Sequence, residues 1–239
     1  LDYRAGQVAV LHWRGASGGA AVARTYSFAT APTPSGRLHF LIRLHEGGAF
    51  SRALLEAIRP GDRLELEGPS GEFALPRAPG PLLAIAAGTG LAPLLALFDE
   101  ALEAGEDTGD VHVLVAARDR AAFVGAVRLA SLGARWRGRF EVTPVFSRAG
   151  ADEAGERGRL VDRLPSLIAE VDLARAGAAV CGPAGFVDAV SAHVLARGLP
   201  ADRLARDPFV AAAPVEVSAT ATSTPPPVSS TSLWPSLKF

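Results

Sequence analysis

The sequence predicts two domains in tandem, a small antiparallel β-barrel followed by an α/β domain built on a parallel sheet. Three observations carry this. Residues 1 to about 75 read as short alternating runs separated by turn clusters, with a single helical stretch among them. After Pro79-Gly80-Pro81 the pattern changes, and apolar strands alternate with helical segments. The runs Leu82–Ala87 and Val111–Ala117 are apolar on both faces, as strands of a parallel sheet covered on both sides must be. The expected division is residues 1–79, residues 80–210 and a tail of residues 211–239.

In the first domain, Gln7–Trp13 is an apolar strand around His12, and Arg24–Ala29 is a second. Leu38, Phe40, Ile42 and Leu44 alternate on one face of a third. Gly15 to Gly19 and Pro32 to Gly36 are turn-rich connectors. Phe50–Ile58 has helical spacing, with Leu54, Leu55 and Ile58 apolar and Arg59-Pro60-Gly61 as its stop. Asp62–Glu67 returns to alternation, Leu64 and Leu66 facing inward. In the second domain the elements fall at 82–87, 91–104, 111–117, 121–132, 140–146, 160–169, 178–181 and 184–197.

Pro81 to Phe98 is apolar over 18 residues apart from Thr89. That length is borderline for a membrane span, but Gly88-Thr89-Gly90 and Pro93 fit a strand, a tight turn and a helix, so no membrane association is expected. The tail holds ten Ser or Thr, five Pro and two charges, Glu216 and Lys238. Such a segment cannot bury a core and is expected to be disordered, with Trp234 at its end read as incidental. The 24 basic and 25 acidic side chains leave a net charge of −1, which removes the electrostatic case for nucleic acid. A single cysteine, Cys181, excludes an internal disulfide and a four-cysteine cluster within these residues. It is compatible with a reducing, cytoplasmic setting. The absence of Met and the opening on Leu1 suggest a processed chain or a fragment. The five histidines lack metal spacing, the run Arg135, Arg137, Arg139 reads as a solvated loop, and Asp152, Glu153 and Glu156 have no paired-carboxylate context.

Five short motifs carry the chemistry. Arg24-Thr25-Tyr26-Ser27 combines a phosphate-binding guanidinium, a ring for stacking and a hydroxyl. Gly48-Ala49-Phe50-Ser51 opens a helix, whose first N–H groups suit a diphosphate. Gly68-Pro69-Ser70-Gly71-Glu72-Phe73 lets backbone approach a flat ligand. Gly88-Thr89-Gly90-Leu91-Ala92-Pro93 follows an apolar strand, where nucleotides bind in parallel sheets. Val180-Cys181-Gly182-Pro183-Ala184-Gly185-Phe186 lies at a later strand end. Each alone is a weak signal; Cys181 by itself would be read as a small buried hydrophobe.

In this order and at these spacings the five motifs resemble the ferredoxin–NADP reductase superfamily over about residues 3–210, and most of all the bacterial reductase components of oxygenases. Tyr3-Arg4-Ala5-Gly6-Gln7 resembles the end of that family's first strand region, so the first strand is expected to be missing. The resemblance implies a flavoprotein with FAD between the domains and NAD(P)H as the hydride donor. Arg24 would bind the flavin pyrophosphate with help from Gly48 and Ser51. Tyr26 would pack on the isoalloxazine and Ser27 would hydrogen-bond near its N5. Gly88, Thr89, Gly90 and Pro93 would shape the nicotinamide nucleotide site, with Cys181, Gly182 and Pro183 beside the nicotinamide. Phe209, in Asp207-Pro208-Phe209, would cover the other flavin face. Ser27 and Cys181 are the residues expected to tune the hydride step, and no general acid or base is required.

The resemblance also implies electron delivery to an iron–sulfur protein or domain, a ferredoxin or an oxygenase component. No iron–sulfur cluster is expected in these residues, since the ferredoxin domain that many relatives carry needs four cysteines. A dihydroorotate dehydrogenase electron-transfer subunit also needs its own cysteine cluster and is set aside. For the nucleotide, Ser147 and Arg148 after Phe146 resemble the pair that binds a 2′-phosphate, and Arg118 adds charge. Asp152, Glu153 and Glu156 oppose it, and the balance leans to NADPH. Two other functions fit the motifs, an NAD(P)H:free flavin reductase and a non-catalytic nucleotide-sensing module.

Overall fold

A computed structural model describes residues 1–14, 22–107, 109–148 and 155–209. The Gly15–Gly19 connector, Asp152, Glu153 and the 211–239 tail with Trp234 lie outside the described residues.

The first half contains a three-stranded antiparallel sheet of β1 (Val8–Trp13), β2 (Val22–Ser27) and β3 (Glu65–Ser70), in the order β2-β1-β3. The register sets Val8 opposite Ser27 and Leu11 opposite Arg24. Leu38–Leu44 forms no ladder. It meets the sheet at one bridge, Phe28 with Phe40, and through the Ala29 N–H bond to the His39 carbonyl (2.8 Å). Only the first half of its alternation reports burial: Leu38 and Phe40 pack on the cluster of Tyr3, Ala9 and Phe28, whereas Leu44, expected on the same face, is 47% exposed. The expected helix at Phe50–Ile58 is a single α turn, α1 (Ala49–Arg52), that widens into a π turn at Ala53–Ala57. Leu55, expected on its apolar face, is 63% exposed.

The second half is a six-stranded parallel sheet, order β7-β6-β5-β4-β8-β9. Its strands are β4 (Leu82–Ala87), β5 (Val111–Ala117), β6 (Phe140–Phe146), β7 (Glu156–Arg157), β8 (Gly177–Pro183) and β9 (Leu204–Phe209). Helices α2 (Leu91–Ala104), α3 (Ala126–Arg135), α4 (Leu160–Leu167) and α5 (Ala184–Ala196) pack between them. One core lies under α2 and α3 and a second under α4 and α5, so both sheet faces are covered. The segment Pro81 to Phe98 is a strand, a 3₁₀ turn at Gly88–Gly90 and α2. No helix of the described residues is long and apolar enough to cross a membrane.

Helix α3 starts at Ala126 rather than at residue 121 because the Asp119 carboxylate caps a preceding turn, accepting the Ala122 N–H (2.9 Å). The arginine run is not a uniformly solvated loop. Arg137 clamps Asp107 through Nε (2.8 Å) and the Gly105 carbonyl through Nη2 (2.7 Å), pinning the α2–β5 connection. That guanidinium holds the Asp107 carboxyl below its ordinary value.

The two halves share apolar packing. Ala5 and Phe73 belong to the core formed around α2, β4 and β5. A Cβ on Gly6 would sit 1.8 Å from the Phe73 carbonyl oxygen, so the chain passes there only as glycine. Behind them, Arg175 donates to the Pro79 carbonyl (3.1 Å) and Gly177 to the Pro81 carbonyl (3.0 Å).

Candidate flavin and nucleotide site

A cleft of about 640 Å³ runs between the two halves, within the size range of organic ligand and cofactor sites. Strand β2 supplies Arg24, Thr25, Tyr26 and Ser27 to it, the following loop supplies Leu41, Arg43, His45 and Gly48, and α1 supplies Phe50 and Ser51. From the other side come Thr89 and Ala92 at the start of α2 and Asp207, Pro208 and Phe209 of β9. The carboxyl ends of the parallel strands therefore face β2, the edge where such sheets bind nucleotides.

The β2 side is tightly organised. The Tyr26 ring leans on buried Phe50, with centroids 5.6 Å apart and planes inclined at 49°. Burial pushes the Tyr26 hydroxyl pKa up, against the lowering by Arg24. Arg24 is held by a bond from Nη1 to the Ala23 carbonyl (2.7 Å). Ser51 Oγ accepts the His45 N–H (2.9 Å), and the Gly48 N–H donates to the His45 carbonyl (3.0 Å). A Cβ on Gly48 would press to 3.1 Å from both the His45 carbonyl and Ser51 Oγ, so glycine keeps this loop closed and its backbone bare. An aromatic ring at each side, guanidiniums at Arg24 and Arg43, and a bare glycine loop fit a planar ring carrying a phosphate chain.

Not every expected residue lines the cleft. Gly88 and Gly90 form the turn after β4, Pro93 lies in α2, and Cys181, Gly182 and Pro183 end β8, next to the cleft residues Thr89, Ala92 and Asp207. Gly88 has φ +57°, which turns β4 into the 3₁₀ turn. A Cβ on Gly90 would lie 2.4 Å from the Cys181 carbonyl oxygen, so glycine alone lets α2 start against β8. Gly182 has φ +151°, and a Cβ there would lie 3.0 Å from the Ala87 Cβ. Pro93 occupies the first turn of α2, where no helical N–H is required.

Cys181 is fully buried, and its Sγ donates to Asp207 Oδ2 (3.3 Å) across the β8–β9 pair. Burial and the neighbouring carboxylate push the thiol pKa strongly up, so it stays protonated. Burial also raises the Asp207 carboxyl, partly offset by the thiol bond. Ser147, Arg148 and Arg118 lie outside the cleft, exposed beyond the ends of β6 and β5 on the same sheet edge. Among the described residues no group of His, Cys, Asp and Glu could hold a metal ion.

Sequence reasoning missed Arg43, His45 and Asp207. Arg43 and His45 share with Leu41 the face opposite Leu38, Phe40, Ile42 and Leu44, and that face carries a positive charge and an imidazole as its signal. Asp207 sits two residues from Phe209 in a strand whose Arg206 and Pro208 hide the alternation.

The comparisons agree with this geometry. The family model for the oxidoreductase FAD-binding domain matches residues 1–75, and that for the oxidoreductase NAD-binding domain matches residues 84–192. Ferredoxin–NADP reductase B of Sorangium cellulosum is 34% identical over 185 residues, covering 75% of this chain and 74% of that protein. The xylene/toluene monooxygenase electron transfer component of Pseudomonas putida is 30% identical over 188 residues, covering 78% of this chain and 53% of the relative. The anthranilate 1,2-dioxygenase electron transfer component of Acinetobacter baylyi is 32% identical over 168 residues, 70% of this chain and 48% of the relative. The chain thus spans about half the length of these two oxygenase-associated relatives. Among solved structures, an Amycolatopsis cytochrome P450 reductase superposes with a TM-score of 0.73 at 30% identity, covering 87% of this chain and 62% of that one. The ferredoxin reductase of carbazole 1,9a-dioxygenase gives 0.72 at 25% identity, covering 87% and 61%.

Fold, cleft and family matches together define the class, the flavin-dependent NAD(P)H oxidoreductases with an FAD-binding and an NAD-binding half. Within that class, this chain belongs to the ferredoxin–NADP reductase superfamily.

Proposed function

We propose that this chain takes reducing equivalents from NAD(P)H onto bound FAD and passes them to an iron–sulfur protein or domain serving an oxygenase. The observation that carries this reading is the shared cleft, in which Arg24, Tyr26 and Ser27 of one half face Thr89, Asp207 and Phe209 of the other. When bound, FAD supplies a two-electron acceptor that can release its electrons singly. In this reading Arg24 and Arg43 pair with the pyrophosphate, assisted by the Gly48–Ser51 loop. Tyr26 and Phe209 flank the ring system, and the Ser27 hydroxyl hydrogen-bonds near N5. Cys181, Gly182 and Pro183 form the floor beside the nicotinamide. Asp207 keeps a proton at Cys181 Sγ, so the thiol shapes the site and does not attack. Gly88, Thr89, Gly90 and Pro93 shape the turn on which the nucleotide rests, while Ser147, Arg148 and Arg118 bind its 2′-phosphate and favour NADPH.

The acceptor assignment is supported by the oxygenase electron transfer components among the relatives. An anaerobic absorption spectrum, titrated with NADH and with NADPH, tests the core of the proposal. Purified protein should show a flavin spectrum that bleaches on reduction, and the released cofactor should co-chromatograph with FAD. A colourless protein that gains no flavin from added FAD would favour a nucleotide-sensing module. Rapid loss of flavin on desalting, with turnover only when free flavin is supplied, would favour a free flavin reductase. Single-electron transfer to a ferredoxin, measured with the holoprotein, decides the acceptor.

A further inference from the structure

We propose that Asp119 is a specificity-determining residue of the nucleotide site, its carboxylate holding down affinity for a ribose 2′-phosphate at Arg118. The inference rests on reading the β5–β6 edge as the nucleotide site. Beyond the strand ends the two loops stay hydrogen-bonded, Ser147 N–H to the Ala117 carbonyl (3.0 Å) and Arg148 N–H to the Arg118 carbonyl (2.7 Å). Arg118 and Arg148 therefore stand side by side at the carboxyl edge, where an anionic group would meet both. Their charges differ in availability. Arg148 has no side-chain ion pair among the described residues, whereas Arg118 donates Nε–H to Asp119 Oδ2 (2.8 Å).

Asp119 is the fixed member of that pair. Its other oxygen caps the turn at the Ala122 N–H (2.9 Å), and its side chain is 24% exposed against 54% for Arg118. The Arg118 hydrogen bond holds the Asp119 carboxyl below its ordinary value, so it is ionised at neutral pH. The Nε edge of Arg118 is thus occupied, and only its terminal amino groups can turn to a ligand. A 2′-phosphate on those groups would face a fixed carboxylate on the other side of the same guanidinium. A neutral 2′-hydroxyl would meet no such opposition, so Asp119 narrows the preference for the 2′-phosphate that Ser147, Arg148 and Arg118 provide. Discrimination of this kind comes from a repulsive element beside an attractive one.

The test measures binding of 2′,5′-ADP and of 5′-AMP to the holoprotein by calorimetry, so it does not depend on turnover. Asp119→Asn keeps one acceptor, enough for the Ala122 N–H, and removes both the charge and the second oxygen that occupies Arg118. It should tighten 2′,5′-ADP by roughly threefold to tenfold and leave 5′-AMP unchanged. Asp119→Ser, a second uncharged cap, should do the same if the asparagine variant folds poorly. Adding Arg118→Ala should abolish the gain, because the carboxylate acts through that guanidinium. Unchanged or weaker 2′,5′-ADP binding in both uncharged variants overturns the proposal and leaves the nucleotide site standing. Failure of both compounds to bind any variant, with flavin retained, overturns the assignment of this edge and the proposal with it.

Discussion

The hydrogen bond between Cys181 and Asp207 ties a protonated thiol to a half-buried carboxyl that lines the cleft, and its chemistry is testable one residue at a time. Because burial and Asp207 both raise the thiol pKa, Cys181 should react far more slowly with iodoacetamide in the folded protein than in urea. Cys181→Ala should slow reduction by NAD(P)H in stopped flow, with no covalent adduct in the mass spectrum of the turning-over wild type; an adduct at Cys181 would contradict the assigned role. Asp207 has the opposite sign from most carboxylates. Its folded pKa lies above its unfolded value, so the fold is disfavoured once the pH rises past the ordinary carboxyl value near 4 and through the folded value. Asp207→Asn should therefore raise Tm at pH 7, and the gain should fade as the pH is lowered toward 4. Cys181 was visible in the sequence as part of a glycine-proline motif. Asp207 was not, because its role comes from a strand pairing 26 residues distant in sequence.

At the scale of elements, the turn between β4 and α2 separates two reasons for glycine. Gly88 needs only its positive φ, since a Cβ there meets nothing within 4 Å, whereas Gly90 is pressed against backbone of β8. Gly88→Ala should cost about 1–2 kcal/mol, and Gly90→Ala about 3 kcal/mol or more, because a carbonyl cannot rotate away. Urea unfolding of the two variants side by side checks the ordering; equal losses would refute it. The same contrast explains what was legible. Leu82–Ala87, Leu91–Ala104, Val111–Ala117 and Phe140–Phe146 coincide with their expected ranges; for Leu82–Ala87 and Val111–Ala117 the reason is that a doubly covered sheet writes largely apolar strands into the chain. Leu38–Leu44 shows the limit: its alternation marks Leu38 and Phe40 as packed but fails at exposed Leu44, and a ladder depends on a partner strand that the local sequence does not encode. The two-residue β7 and the charged, proline-bearing β9 carry too little pattern to be found alone.

At the scale of the molecule, the site exists only where both halves meet, so cofactor retention reports on their joint assembly. Arg24→Ala should weaken FAD retention about tenfold to a hundredfold, the loss of a charge-assisted contact of roughly 1.5–3 kcal/mol. Equilibrium dialysis measures it, and undiminished retention would remove Arg24 from the pyrophosphate. Phe73→Ala, far along the chain from α2 yet in its core, should cost about 3–5 kcal/mol. That loss should appear in one unfolding transition for both halves rather than in an early step confined to the first. The packing of Ala5, Gly6 and Phe73 against Leu97 and its neighbours also bears on how such chains can be recombined. Topology changes near residue 79, but the hydrophobic seam does not. A chimera joined there from two different relatives would inherit mismatched surfaces, and its first failure would be misfolding rather than a change of nucleotide or acceptor. Exchange that works must carry the turn at Gly6, the Phe73 strand exit and the α2 face together, as one cassette.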